Sequence, residues 1–187
     1  LGLNVITDPM PTAEDALDDV EAQGGNTSEI NRWLSGGWDA HIHNLPFNNF
    51  ALELGKGYFL KSSLASTWQR TGRPPSNPLP LALSPGWNLV SFPRLTCSLA
   101  AEQLLDTIEA QGGDCSEVDR WLNGGWNAHI HNLPFNPFAI ATDQGYFLKC
   151  SQASSYLPCQ GAVEVAEETQ PQPAAVAPEQ AAQDPII

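Results

Sequence analysis

The sequence predicts an α+β fold built from two tandem copies of one small unit. Three observations carry that prediction. Residues 32–50 read Arg-Trp-Leu-Ser-Gly-Gly-Trp-Asp-Ala-His-Ile-His-Asn-Leu-Pro-Phe-Asn-Asn-Phe, and residues 120–138 repeat them almost letter for letter, 120 − 32 = 88 positions later. The same offset pairs Glu-Ala-Gln-Gly-Gly at 21–25 with 109–113, and Gly-Tyr-Phe-Leu-Lys at 57–61 with 145–149. A fixed long period marks a duplicated structural unit. Within each copy a helical period gives way to period-2 alternation, so each unit carries one helix and a mainly antiparallel sheet of about four to five short strands. The predicted divisions are unit 1 at 1–72, a Pro-rich join at 73–84, unit 2 at 85–161 and an extended Pro/Ala-rich tail at 162–187.

Each copy opens on a short apolar run, Leu3 to Ile6 or Trp87 to Phe92, stopped by Pro9 or Pro93, which reads as a strand. Leu3 is set against Trp87 in this reading. In copy one Thr12 is placed to cap a helix whose stripe is Ala13, Ala16, Leu17 and Val20. In copy two Ser98 lies near the cap and Ala101, Leu104, Leu105 and Ile108 form the stripe. Both helices end at Gly-Gly, where one glycine can adopt the left-handed conformation that closes a helix. A hairpin follows, turning at Gly36-Gly37 in one copy and at Asn123-Gly124-Gly125 in the other. After the turn, Trp38, Ala40 and Ile42 alternate with Asp39, His41 and His43. The apolar set is expected to face the core, with Phe47 plugging the core edge. Residues 50–54 and 58–65 are expected to supply further strands.

Composition bounds the function. A formal net charge of −13, with 8 Lys and Arg against 21 Asp and Glu, argues against holding a nucleic-acid backbone. No apolar stretch approaches the ~20 residues of a membrane-spanning helix. A start at Leu1 rather than Met fits either processing, such as removal of a signal peptide, or an artificial boundary, and no signal peptide is visible in the sequence. Nucleophile–base pairs, paired carboxylates and phosphate loops are not recognisable as local motifs, so the chain is not expected to be an enzyme, and no cofactor is implied.

All four cysteines lie in copy two, at Cys97, Cys115, Cys150 and Cys159, without a CxxC pair. An even number in such a chain favours disulfides and an oxidising compartment. Cys115 and Cys150 align with Thr27 and Ser62, so they read as a cross-link added to an existing scaffold. That leaves Cys97 with Cys159. A Cys97–Cys115 link is disfavoured because a helix of ~14 residues would hold its ends ~21 Å apart.

The pattern Gly-Trp-Asn, Gln-Gly-Gly, Arg-Trp-Leu, Gly-Gly-Trp, Leu-Pro-Phe-Asn and Gly-Tyr-Phe resembles a repeat module of large secreted or surface-anchored bacterial proteins. The resemblance covers roughly residues 1–160. It implies an extracellular or cell-surface location and a structural or adhesive role, with no catalytic residues to carry over.

Three features remain as candidate sites. The pairs His41/His43 and His129/His131 place two rings on one strand face, with Asp39 beside the first pair and Asn127 beside the second. That spacing suits metal ligands, but a plain polar strand face explains it better, and no metal is expected. Trp33 and Trp121, freer than Trp38 and Trp126, are placed to stack on the sugars of a polysaccharide. The tail offers Val163 and Val165 in strand alternation, then Val176 and the terminal Pro185, Ile186 and Ile187. A tail that docks on a neighbouring copy would link subunits head to tail into a homopolymer. A filament or surface-layer subunit is therefore the first functional expectation, and a tandem carbohydrate-binding or adhesion module is the second.

Overall fold

Two ten-residue helices anchor the fold in the computed structural model, which describes residues 1–7 and 10–160. Helix α1 (Ala13–Ala22) starts at Thr12, whose hydroxyl accepts from the Asp15 amide at 3.2 Å while the Asp15 carboxylate accepts from the Thr12 amide at 2.8 Å. These reciprocal bonds satisfy two of the donors that every helix start leaves unpaired. The bond from the Thr12 amide, seconded by its hydroxyl, holds the Asp15 carboxyl below the usual carboxylate range. Helix α2 (Ala101–Ala110) starts at Ala100, not Ser98, and Gln103 accepts from the Ala100 amide at 2.9 Å. The two predicted stripes are the buried residues of both helices. Gly24 (φ +87°) and Gly112 (φ +82°) take the left-handed closing position.

The described residues contribute nine strands. Strands β1 (Thr27–Leu34), β2 (Gly37–Ile42) and β3 (Phe59–Ser62) form an antiparallel sheet in the order β2-β1-β3. Next come β4 (Leu81–Leu83), β5 (Gly86–Ser91), β6 (Cys115–Leu122), β7 (Gly125–Ile130), β8 (Gly145–Cys150) and β9 (Ser154–Tyr156). These make a four-stranded sheet ordered β5-β8-β6-β7 and a two-stranded β4-β9 sheet. The architecture is α+β. Register repeats with the sequence offset: Trp33 pairs with Trp38 as Trp121 pairs with Trp126, and Ile30 with Leu60 as Val118 with Leu148. Both hairpins turn through two residues of positive φ, Ser35 (+51°) and Gly36 (+82°), and Asn123 (+52°) and Gly124 (+79°). That geometry suits the right-handed twist of the flanking strands.

Several expectations are corrected. Residues 3–6 form no strand, the opening segment having only isolated bridges at Gly2 and Ile6, and residues 50–54 contribute one bridge, Thr12 to Ala51. The Pro-rich join ends in β4, whose Leu81 and Leu83 are buried in the second core, so it is part of the fold and not only a spacer. Phe47 is 69% exposed, and Phe50 fills the core in its place. Leu3 does not match Trp87. Leu1 exchanges backbone bonds with Tyr58 just where Val90 pairs with Tyr146, so Leu3 takes the core seat of Phe92.

The largest correction concerns the faces of β2 and β7. Trp38 is 49% and Ile42 is 49% exposed, whereas His41 and His129 are buried. A buried imidazole is tolerated when both nitrogens have partners. His41 has the Phe47 carbonyl at 2.8 Å from Nδ1 and the Glu14 carboxylate of α1 at 2.5 Å from Nε2. His129 repeats this with Phe135 at 2.7 Å and Glu102 at 2.6 Å.

The halves of the chain meet at the outer edge of β5. The Gly57 amide donates to the Leu89 carbonyl at 3.2 Å, and the Ser91 amide to the Gly55 carbonyl at 3.0 Å. A Cβ at Gly57 would stand 2.8 Å from the Val90 oxygen, so this approach requires glycine.

Candidate functional site

The outward faces of the two larger sheets carry the aromatic residues that their inward faces exclude. Alternation along β8 sends Tyr146 and Leu148 into the core and Phe147 to the other side. There Phe147 is met by four tryptophans: Trp33 at 5.5 Å, Trp38 at 5.7 Å, Trp126 at 5.5 Å and Trp87 at 5.9 Å between ring centroids, all steeply inclined to it. Edge-on contacts of this kind match the positive rim of one ring to the negative face of another. The cluster spans both halves of the chain.

Trp33, Trp38, Trp87, Trp126, Phe147 and Asp119 line an open cavity of about 260 Å³. That is below the volume of pockets that hold drug-sized ligands, so it suits one small unit of a larger molecule. Two of its polar atoms are buried without a hydrogen-bond partner among the described residues: Oδ1 of Asp119 and the indole Nε1 of Trp33. Burial, seconded by the charge of neighbouring Glu117, pushes the Asp119 carboxyl up to about 6.

An orphaned acceptor and an orphaned donor in one aromatic cavity define a chemical preference. The carboxylate oxygen offers an acceptor and the indole N–H a donor, the two complements of a hydroxyl group. A cation would satisfy the carboxylate and the ring faces but leave the indole N–H unpaired.

The other predicted site residues fall as follows. Trp121 stands apart from Trp33, lining a second cavity of about 190 Å³ with Phe59, Leu60 and Gln144. Cys97 joins Cys159, and Cys115 joins Cys150 across β6 and β8, the two pairs expected from the repeat. Asp39 pairs with Arg32 at 2.8 Å and does not join the histidines as a ligand set. Glu14, Asp18 and His43 converge instead, as do Glu102, Asp106 and His131. These groups already bond one another: His43 has Asp18 at 2.9 Å and Glu21 at 3.4 Å, and the Asp18 bond, outweighing the effect of burial, raises its pKa. Val163, Val165, Val176, Pro185, Ile186 and Ile187 lie outside the described residues.

No family model, curated protein or solved structure matches this chain. Among the described residues no helix is long and apolar enough to cross a membrane. The site therefore rests on its own geometry. Trp87, Asp119 and Phe147 are the members that sequence reading missed. A signal for Asp119 existed, because copy one has Asn31 at that position, directly before the Arg-Trp-Leu that both copies share.

Proposed function

We propose that the chain is a non-catalytic adhesion module of a secreted or surface-anchored bacterial protein, built from two tandem copies of one unit, and that it binds polysaccharide in the aromatic groove. The observation that carries this reading is the pairing of unpartnered Asp119 Oδ1 and Trp33 Nε1 within a cavity walled by tryptophan. Two disulfides and the scarcity of Lys and Arg suit an oxidising extracellular setting. A glycan array probed with the intact chain and with Trp126→Ala tests it. Trp126 is 51% exposed, so its loss should leave the fold intact. Retention of neutral glycans by the parent and a tenfold or greater loss in the variant (~1.4 kcal/mol) is the expected result. Failure of the parent to retain any glycan removes the reading.

A second reading is the head-to-tail polymer, in which residues 162–187 dock on a neighbouring copy. Its donor residues lie outside the described part, and one observation favours an acceptor: among the described residues β3 lies at the edge of its sheet, and open edges pair with added strands. Deleting residues 162–187 should then abolish polymerisation while both units stay folded, as sedimentation and circular dichroism would report. Unaltered filaments from the shortened chain would rule it out.

A further inference from the structure

The outward faces of the two larger sheets carry the same cross-strand pair of charges. Glu117 of β6 stands opposite Lys149 of β8, with 3.7 Å from ammonium to carboxylate, and Glu29 and Lys61 repeat the pair at 3.8 Å. Each pair is balanced within itself. Asp119 is an addition to the second. Alternation sets it on the same face as Glu117, two residues along β6, where copy one has the neutral Asn31.

Among the described residues no basic side chain forms an ion pair with Asp119. Lys149 is engaged by Glu117 and lies over the Trp87 ring at 5.4 Å. Arg120 belongs to the opposite face, where it bonds Asn127 at 3.1 Å and stacks on Phe138 at 4.3 Å. The groove therefore holds two carboxyl groups to one ammonium. Its walls reinforce that bias, because the faces of aromatic rings carry the negative part of their quadrupole.

Three needs meet in one cavity: a counter-charge for Asp119, contact for the tryptophan rings, and an acceptor for the orphaned Trp33 N–H. An ammonium group answers the first two but only donates hydrogen bonds. A hydroxyl answers the third and brings no charge. We propose that the groove selects sugar units bearing a free amino group, with the ammonium set against Asp119 and a hydroxyl of the same unit accepting from Trp33. This inference rests on the polysaccharide reading above and names the class of polymer, a hexosamine chain with unacetylated nitrogens. Acetylation removes the charge that the site would recognise. Uronate or sulfated polymers bring like charge to a chain of net charge −13, which opposes their approach.

Isothermal titration at pH 7 tests the proposal with two hexasaccharides of the same linkage, one of glucosamine and one of glucose. Three proteins are compared: the parent, Asp119→Asn, and Glu109→Gln, which removes an exposed acid of α2 outside the groove. The parent should bind the glucosamine oligomer ~10-fold or more tighter than the glucose oligomer. That preference should vanish in Asp119→Asn and persist in Glu109→Gln. Asn31 at the matched place in copy one makes the first substitution compatible with the fold. Equal affinity of the parent for both oligomers overturns the selection and leaves the polysaccharide reading standing. A preference that survives Asp119→Asn assigns it to overall charge and overturns the site. Hexamethylenediamine binding as tightly as the glucosamine oligomer would make the ligand a plain cation, which also overturns it. Binding of neither oligosaccharide removes the polysaccharide reading and this inference with it.

Discussion

The Trp33 ring meets the Phe147 ring edge-on at 5.5 Å although β1 and β8 belong to different sheets, and Trp121 meets Phe59 in the same manner at 6.0 Å. The halves of the chain are thus joined by a reciprocal aromatic contact about an approximate twofold relation. The joint is asymmetric in depth, because Trp87 closes over Phe147 while Phe59 has no such cover.

That asymmetry predicts unequal costs for two equivalent substitutions. Phe147→Ala should destabilise the chain by ~3–4 kcal/mol, the usual loss for a buried phenylalanine. Phe59→Ala, at a half-exposed site, should cost roughly half as much. Urea unfolding of both variants checks this, and equal losses would mean that the rings are equally covered.

Asp119→Asn should stabilise the fold at pH 7. With its folded pKa raised to about 6, the ionised carboxyl is disfavoured in the fold, so the parent should gain stability as pH falls from 7 to about 4. The group is partly open to solvent, which reduces the effect to about 1 kcal/mol. Asn at this place is tolerated in the other copy, at Asn31. Thermal melts between pH 4 and 7 should be flatter for the variant. Ligand binding should behave oppositely, fading below about pH 6 as the acceptor is protonated.

Glu14→Ala should remove a partner that the fully buried His41 ring requires. Glu14 also accepts from the Asn44 amide at 3.0 Å, fixing the bend after β2. A loss of ~2–4 kcal/mol is expected, since a buried polar group left unpaired costs more than the bond itself contributes. Glu102→Ala should behave alike, with His129 and Asn132 in the matching roles. Calorimetry of both variants would show the equivalence.

Replacing Cys115 and Cys150 by the residues of the other copy, as Cys115→Thr with Cys150→Ser, should preserve the fold and cost ~2–4 kcal/mol. Thr27 shows how the first site is served without sulfur, its hydroxyl donating to the Leu17 carbonyl at 3.4 Å. Peptide mapping of the parent without reductant should recover 97–159 and 115–150. Recovery of a 97–115 peptide would contradict both the alignment and the geometry.

Much of the architecture was legible because it is local or repeated. Helix stripes, helix ends and hairpin turns depend on residues within a few positions of each other, and the offset of 88 made each reading available twice. The cysteine pairing followed from the same comparison, since Thr27 and Ser62 marked which two cysteines were added together. Strand β4 and the plug at Phe50 were not legible, because prolines around Leu81 and a lone phenylalanine carry no periodic signal.

The sequence by itself determined that Trp38 and His41 lie on opposite faces of one strand, for backbone pleating allows nothing else. Which face turned inward was decided by the tertiary structure. Glu14, 27 residues away on α1, and the Phe47 carbonyl supply both nitrogens of His41, so the polar ring can be buried. The displaced Trp38 meets Phe147 of the other sheet at 5.7 Å, and Trp126 meets Phe59 at 5.5 Å. Period-2 alternation separates two sets of side chains, but only long-range partners determine which set can leave water at lower free energy.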